Sequence, residues 1–509
     1  RGPDAAGNYI APFIALGHRR LAIIDLTPAG INPMPNEDGT VHITFNGEVY
    51  NFQELRPELE AAGHRFRSHG DTEVVLHGYE QWGPAGLLKR IKGMFAFAIW
   101  DGPKRELFIA RDRVGKKPLF FQDDGQTVLF ASDIKSIWAI RGSELTIDPR
   151  ALDEFLFNYF IQQDRSVYRQ VGKLQPAEYA IFRTDPAKTT REKYWSVSYA
   201  NKDTRSESEW LDGLEHHLRQ AVRRRLIADV PIGAFLSGGV DSSTTAALMA
   251  QESGRQISTF TIGFERIEQY DERVHAKRVA DHIKSRHQEI VLEPDVWAIL
   301  PNLVWQYGEP FGDASAVPTY FVAKAAREFV TVVLTGDGGD EALAGYDRHL
   351  SADRERRLGA IPSFIRRGLL LPATRALSGL APDNVTLDRA ALFAEHAAGR
   401  LDLAVRRSSV WRGHWRSRLW SQEWLREIGD WHPAGPQISA LETCHGPTAL
   451  DRRLQMDLQT TLPSDYLTKV DVATMAVSLE ARCPFLDSDF IEYAATIPAA
   501  MLLQHNELK

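Results

Sequence analysis

Leu236-Ser237-Gly238-Gly239-Val240-Asp241-Ser242-Ser243 follows the apolar run Val230-Pro231-Ile232-Gly233-Ala234-Phe235. A strand is therefore predicted to empty into a glycine turn, an acid and two hydroxyls. Ser237, Gly238 and Gly239 let consecutive backbone N–H groups converge on an anion, and a helix opening near Ser242 adds its positive end. That is a cradle for nucleotide phosphates, with Asp241 placed to hold a metal on them. It is not the commoner phosphate loop, which needs GxxxxGK followed by Ser or Thr. The nearest approach to that pattern, Ala110 to Lys117, lacks the first glycine and the final hydroxyl. A bare SGG string also reads as a polar turn, and the strand-to-helix context argues against that.

A second glycine and acid cluster, FVTVVLTGDGGDE, runs from Phe329 to Glu341. Its β-branched run Val330 to Leu334 predicts a fully buried parallel strand that ends in another acidic turn. Ligands of an open parallel sheet sit beyond the carboxyl ends of the strands, so Asp241 and Asp340 are expected to face the same magnesium and triphosphate. A third strand, Ile257 to Gly263, is expected to line the adenine side. GDGGDE alone reads equally well as a calcium-binding or solvated acidic loop; the pairing with LSGGVDSS favours the nucleotide.

LSGGVDSS resembles the pyrophosphate loop of ATP pyrophosphatases, which split ATP between its α and β phosphates and adenylate a substrate. The whole chain, from RGPD at Arg1 to its last residue, resembles the glutamine-hydrolysing asparagine synthetases. LSGGVDSS, FTIGF, LTGDGGDE and the segment Tyr466 to Asp487 occur in that family's order. The resemblance implies an α/β chain in which an αββα sandwich of the N-terminal nucleophile hydrolase kind is followed by a doubly wound parallel-sheet ATP-pyrophosphatase domain. It implies ATP contacts at Leu236, Ser237, Gly238, Gly239, Asp241, Ser242, Ile262, Thr335 and Gly336, magnesium on Asp241 and Asp340, and a catalytic role for Asp337. Some family members have a glutamate at the last position; Asp337 keeps the charge and shortens the reach. β-Lactam synthetases and other ATP-dependent amide-forming enzymes share the architecture, so the resemblance bears on adenylation more than on the acceptor.

Near the start, HRRLAIID (His18 to Asp25), Phe45-Asn46-Gly47-Glu48 with Tyr50-Asn51, and HGDTEV (His69 to Val74) resemble the glutamine pocket of class II amidotransferases. On that match Arg20 clamps the substrate carboxylate, for which a guanidinium fork is suited, and Glu48 with Asp71 accepts from the α-ammonium. Asn46 and the N–H of Gly47 form the oxyanion hole. An isolated Asn-Gly between apolar residues reads instead as a hairpin turn, a reading that three matching segments in order oppose.

The family's nucleophile is an N-terminal cysteine whose own amine is the base. This chain starts at Arg1, and Cys444 and Cys483 are expected to lie in the synthetase half, unable to replace it. RGPD lies about thirty residues beyond that cysteine in the resembled family, which implies a fragment. The resemblance likewise implies that the C-terminus is missing. It makes Lys509 the lysine that steadies the phosphorus during adenylation, although a terminal lysine also reads as a solvated end.

With 509 residues, 43% of them hydrophobic, the expectation is two to four domains with sizeable cores. A formal charge of -7 opposes a polyanion-binding surface, so no nucleic acid is expected. Two cysteines exclude a disulfide framework and point to the cytoplasm, and no stretch suggests a membrane partner. Trp411, Trp415, Trp420, Trp424 and Trp431 alternate with arginines; their spacing predicts one buried helical side more readily than a base-stacking surface. The first domain is read as residues 1–184, with strands at Val41 to Phe45, Phe95 to Trp100, Glu106 to Arg111 and Thr127 to Ala131. The polar run Asp185 to Glu209 is read as a linker. Residues 210–509 form the second domain, with helices at Trp210 to Leu226 and Tyr270 to Ile283.

The expected activity is asparagine synthesis from the small molecules aspartate, glutamine and ATP, with a homodimer left open. In the segment Tyr466 to Asp487, Val472 stands where the resembled family usually has an arginine, which bears on acceptor recognition. Two rivals are an amide ligase acting on a different carboxylate and a nucleotide-binding scaffold without turnover.

Overall fold

Alternation along one strand sets the layers of the first domain. In Gly93–Asp101, every residue after the glycine is buried. Phe95, Phe97 and Ile99 point into one core, while Ala96, Ala98 and Trp100 point into another. A strand with two buried faces must be covered on both sides. The computed structural model describes residues 1–184, 187–264, 271–292, 296–351, 362–370, 372–373, 376 and 418–503.

The first domain contains β1 (Ala5–Ala11), β2 (Ile14–Arg20), β3 (Met34–Pro35), β4 (Val41–Val49), α1 (Phe52–Ala61), α2 (Asp71–Arg90), β5 (Gly93–Asp101) and β6 (Glu106–Arg111). It continues through β7 (Phe120–Asp123), β8 (Val128–Ala131), α3 (Ile134–Arg141), α4 (Pro149–Asn158), β9 (Gly172–Lys173), β10 (Glu178–Thr184) and β11 (Ala187–Lys193). The main sheet has the order β11-β10-β6-β5-β4-β3, and a smaller one has β8-β7-β9. Leu59 of α1 and Val74 to Leu76 of α2 pack on one face of the main sheet. The other face meets Leu16, Leu119 and Leu174, with Phe121 and Phe130 partly buried against them. Ile134 and Ile137 of α3 and Ala151 of α4 then cover the far side of the smaller sheet. The layers are helix, sheet, sheet, helix: the αββα sandwich.

The second domain is built from α5 (Glu207–Arg225), β12 (Ile232–Phe235), α6 (Val240–Ser253), β13 (Ser258–Phe264), α7 (Arg273–Ile283), β14 (Arg286–Leu292), α8 (Val296–Tyr307), α9 (Ala316–Ala326), β15 (Val332–Leu334) and α10 (Gly339–Leu343). After these come α11 (Gln422–Ile428), α12 (Gly435–Thr443), α13 (Ala449–Gln459), α14 (Leu467–Met475), β16 (Glu480–Arg482) and α15 (Ser488–Ala495). Five strands pair in the order β14-β13-β12-β15-β16, every pair parallel. Val332 and Leu334 face a core shared with α5, α6, α7 and α15; Val333 faces α9 and α14. Both faces are covered, which makes the sheet doubly wound and explains the near-continuous apolar run at Val330 to Leu334. The order reverses between β12 and β15, so a crevice opens there beyond the carboxyl ends of the strands.

Two expectations need correction. The polar run from Asp185 to Glu209 is not all linker: Ala187–Lys193 is an edge strand paired with β10, and Ser206 caps α5 in a capping box with Glu209. A charged strand with one paired edge suits a sheet margin, which is why it reads as linker. Trp420, Trp424 and Trp431 do not share one helix, because α11 is bounded by the Ser421 N-cap and by Gly429. The Trp420 and Trp424 rings meet at a tilt of 34° with centres 5.1 Å apart, and the Arg165 guanidinium lies 4.1 Å from the Trp431 ring centre. Trp411, Trp415, Tyr270, Asp185 and Lys509 lie outside the described residues. No helix among the described residues is long and apolar enough to cross a membrane.

Candidate functional site

Two cavities collect most of the residues singled out in the sequence. The first, about 700 Å³, is lined by Arg20, Asn46, Gly47, Glu48 and Asp71 among others. Arg20 ends β2, where its Nη1 donates to the Thr27 carbonyl at 3.1 Å and its Nη2 to the Ile24 and Asp25 carbonyls at 3.1 and 2.5 Å. Three carbonyls thus fix the guanidinium in a buried position. Burial draws its pKa below the ordinary arginine value against the pull of Asp25, Asp71 and Glu48.

Asn46 and Gly47 lie within β4, not in a hairpin turn. Asn46 Nδ2 donates to Ser132 Oγ at 3.1 Å. Gly47 has φ 147, and a Cβ there would stand 2.0 Å from the Met94 carbonyl oxygen, so the strand can pass β5 only without a side chain. Asp71 is the first residue of α2 and accepts from the Val49 N–H at 2.7 Å. Burial pushes its carboxyl up to about 6. Glu48 is raised well above the usual range, by burial first and then by Asp71. Its Oε2 is buried without a hydrogen-bond partner, and Arg482 Nη2 stands 3.5 Å from Oε1. Two desolvated carboxylates side by side form a receptor for a cation.

The second cavity, about 510 Å³, opens at the switch point between β12 and β15. Ser237, Gly239, Asp241, Ser242, Thr335, Gly336, Asp337 and Asp340 line it. Ser237 Oγ and Ser242 Oγ are 2.9 Å apart, and the Gly239 N–H donates to Ser237 Oγ at 3.2 Å. Helix α6 opens at Val240 with Gly239 as its N-cap and no side-chain cap. Its first N–H groups therefore face the cavity end. A Cβ on Gly339 would stand 2.3 Å from Asp241 Oδ2, so glycine is what lets the second loop close on that carboxylate. Asp241 and Asp340 bring hard oxygen donors to one cavity, a donor set that fits magnesium.

Of the expected nucleotide contacts, Leu236, Gly238 and Ile262 do not line this cavity. Leu236 is 1% exposed, with its side chain in the core between sheet and helices. Gly238 lies against His275 at the start of α7, and Ile262 packs beside Phe260 on the α9 side of the sheet.

Residues that drew no sequence assignment complete the site. Tyr346, Tyr466, Lys469 and Glu341 line the second cavity. Tyr346 Oη donates to Glu341 Oε1 at 2.6 Å, and burial pushes Glu341 up to about 7. Burial opposes the charge of Lys469, but Asp337, Asp313 and Asp465 outweigh it and hold the ammonium above its ordinary value. Asp465 is itself pushed up to about 7 by burial and by Asp313. Two residues beyond Lys469 on α14, Asp471 lines the first cavity and pairs with Lys117 at 3.0 Å. One helix thus serves both cavities. Val472 packs with Tyr307, Phe311 and Ala316.

Cys444 and Cys483 are both buried and line neither cavity. Cys483 Sγ lies 3.3 Å from Thr335 Oγ1 behind the second loop.

The family model described as asparagine synthase matches residues 213–509, and that described as a glutamine amidotransferase domain matches residues 1–195. A putative glutamine-hydrolysing asparagine synthetase of Mycobacterium tuberculosis is 34% identical over 530 residues, covering 100% of this chain and 78% of that protein. Glutamine-hydrolysing asparagine synthetase 1 of Bacillus subtilis is 31% identical over 514 residues, with the same two shares. Amidase chry2 of Gibberella zeae is 28% identical over 542 residues, covering 99% of this chain and 78% of that protein.

Proposed function

We propose, since this chain belongs to the asparagine synthase family and carries a glutamine amidotransferase domain ahead of its synthase region, that it makes asparagine. Ammonia taken from glutamine in the first cavity amidates aspartate that ATP has activated in the second. One observation carries the reading: two acidic glycine turns converge on a single cavity at the switch point of a parallel sheet, and α14 lines both that cavity and the glutamine-type pocket.

In the first cavity Arg20 takes the glutamine α-carboxylate, and Glu48 with Asp71 takes the α-ammonium. That cation offsets the burial that raises both carboxyls. Asn46 Nδ2 and the Gly47 N–H are placed to steady the oxyanion formed when a cysteine thiolate, the nucleophile that the family resemblance implies and that neither Cys444 nor Cys483 supplies here, adds to the glutamine amide; ammonia then leaves with the C–N bonding electrons and a proton, and water releases glutamate. In the second cavity Ser237, Gly239 and the first turn of α6 receive the phosphates. The β-carboxylate of aspartate attacks the α-phosphorus, the bond to the β-phosphate breaks, and pyrophosphate leaves. Ammonia then attacks the acyl carbonyl, AMP leaves with the bonding electrons, and the nitrogen loses a proton to give the amide. A carboxylate is a poor electrophile, which is why activation must come first. Asp241 and Asp340 would hold magnesium, which supplies neutralisation of phosphate charge when bound. Lys469 adds a fixed cation on the same side, kept charged by Asp337, Asp313 and Asp465.

A second reading, amide formation on a different carboxylate, is favoured by Val472, whose apolar surroundings replace the expected arginine. Pyrophosphate release with Mg-ATP, ammonium and a panel of carboxylic acids separates the two. Release that requires aspartate and yields asparagine in equal amount supports the first reading. Release only with another acid supports the second, and no release with any acid sinks both.

A further inference from the structure

We propose that the first domain holds a divalent transition-metal ion, of the class zinc represents, on Glu37, His64, His77 and Glu80. Glu37 lies between β3 and β4, His64 between α1 and α2, and His77 and Glu80 on the first half of α2. One ligand atom from each lies within 4.8 Å of the others. None of the four lines either of the cavities described above.

The geometry is that of a ligand set with its supports in place. His77 is 0% exposed, and its Nδ1 stands 3.3 Å from both Glu37 Oε2 and Glu80 Oε2. Its other nitrogen, Nε2, faces Glu73 Oε1 at 3.5 Å without a hydrogen bond of normal geometry. An imidazole that binds metal through one nitrogen turns the other toward a carboxylate in this way. Glu73 is held in turn by the N–H and hydroxyl of Ser68, at 2.7 and 2.6 Å. Glu80 Oε1 accepts from Asn36 Nδ2 at 2.6 Å, and Glu37 Oε1 meets His64 Nδ1 at 3.2 Å.

The two imidazole rings stack with centres 4.7 Å apart, and each sets its Nδ1 beside the Glu37 carboxylate. A divalent ion matches a set of two nitrogens and two oxygens. Bringing the donors to about 2.0–2.2 Å from one centre needs the outer side chains to close in. Glu37 and Glu80 keep 32% and 23% of their side-chain surface exposed, which gives both room to move and a path for the ion. The ion would tie α2 to two loops, about 9 Å along the helix from Asp71, which faces the first cavity.

The test uses the full-length chain, stripped with a chelator and titrated with zinc in competition with a chromophoric chelator. One equivalent of zinc should bind, with affinity lowered about 100-fold or more in His64→Gln and Glu80→Gln, and about 10–100-fold in Glu73→Gln. His77 lies in the core, so the decision rests on His64 and Glu80, whose variants reach solvent. Cobalt supplies an independent readout: the native chain should give the visible bands of a four-coordinate site, and His64→Gln should lose them. Zinc bound equally by native chain and variants, or no uptake at stoichiometric zinc, overturns the proposal.

Discussion

Asp71→Asn separates a carboxylate kept for a ligand from one kept for the fold. The Asp71 carboxyl is pushed from 3.8 to about 6 by burial. A raised carboxyl contributes stability that is fully present below the unfolded pKa and lost as pH rises through the folded one. The whole effect, about two pH units, is worth about 3 kcal/mol, and about 1.4 kcal/mol of it returns between pH 7 and pH 5. At pH 7 the ligand-free protein therefore bears the cost of a desolvated charge. Asn keeps an acceptor for the Val49 N–H and removes that charge. Denaturant unfolding of the ligand-free first domain should find Asp71→Asn at least as stable as the native chain at pH 7, with the difference shrinking as pH falls toward 5. Glutamine should stabilise the native protein and leave the variant unchanged. If the variant loses 2 kcal/mol or more at pH 7 while still responding to glutamine, Asp71 is kept for the fold through its hold on the Val49 N–H and the reasoning fails.

Further consequences concern the second cavity and the contact between domains. Asp241→Asn or Asp340→Asn should lower ATP-dependent pyrophosphate release about 100-fold or more with an unchanged circular dichroism spectrum. Gly339→Ala places a methyl 2.3 Å from Asp241 Oδ2 and should abolish nucleotide protection against proteolysis while costing about 1–3 kcal/mol in unfolding experiments. Arg482 is fully buried between Glu480 at 2.9 Å and Glu48 at 3.5 Å. Arg482→Met strands both carboxylates and should destabilise the protein by about 3–5 kcal/mol, read as a fall in denaturation midpoint.

The glycine turns were readable because local chemistry specifies them. An apolar run must end as a buried strand, and Ser-Gly-Gly-x-Asp offers few alternatives once a helix follows. The layers of the first domain were readable for a related reason, since β5 alternates large aromatic with small residues and so demands two different cores. Residues joined only by the fold were not readable. Lys469 and Asp471 are two apart on α14 and so point about 200° around the helix from each other, one into each cavity. Their spacing within YLTKVD was the available signal. The acidic string gives Glu341 no role, because its burial comes from α13 and the loop carrying Tyr346, which lie beyond that string. Ala187–Lys193 has the composition of a linker because an edge strand tolerates the charges that otherwise mark one. Glu37, His64 and His77 are too far apart in sequence for any spacing rule to join them.

The most direct measurement follows oxygen through the second cavity. Aspartate labelled with heavy oxygen in its β-carboxylate is incubated with the full-length protein, Mg-ATP and ammonium, and the phosphate products are read by mass spectrometry. Attack of that carboxylate on the α-phosphorus predicts one labelled oxygen in each AMP formed alongside asparagine. Label in inorganic phosphate with ADP as the nucleotide product, or asparagine made with unlabelled AMP, would contradict adenylation at this site.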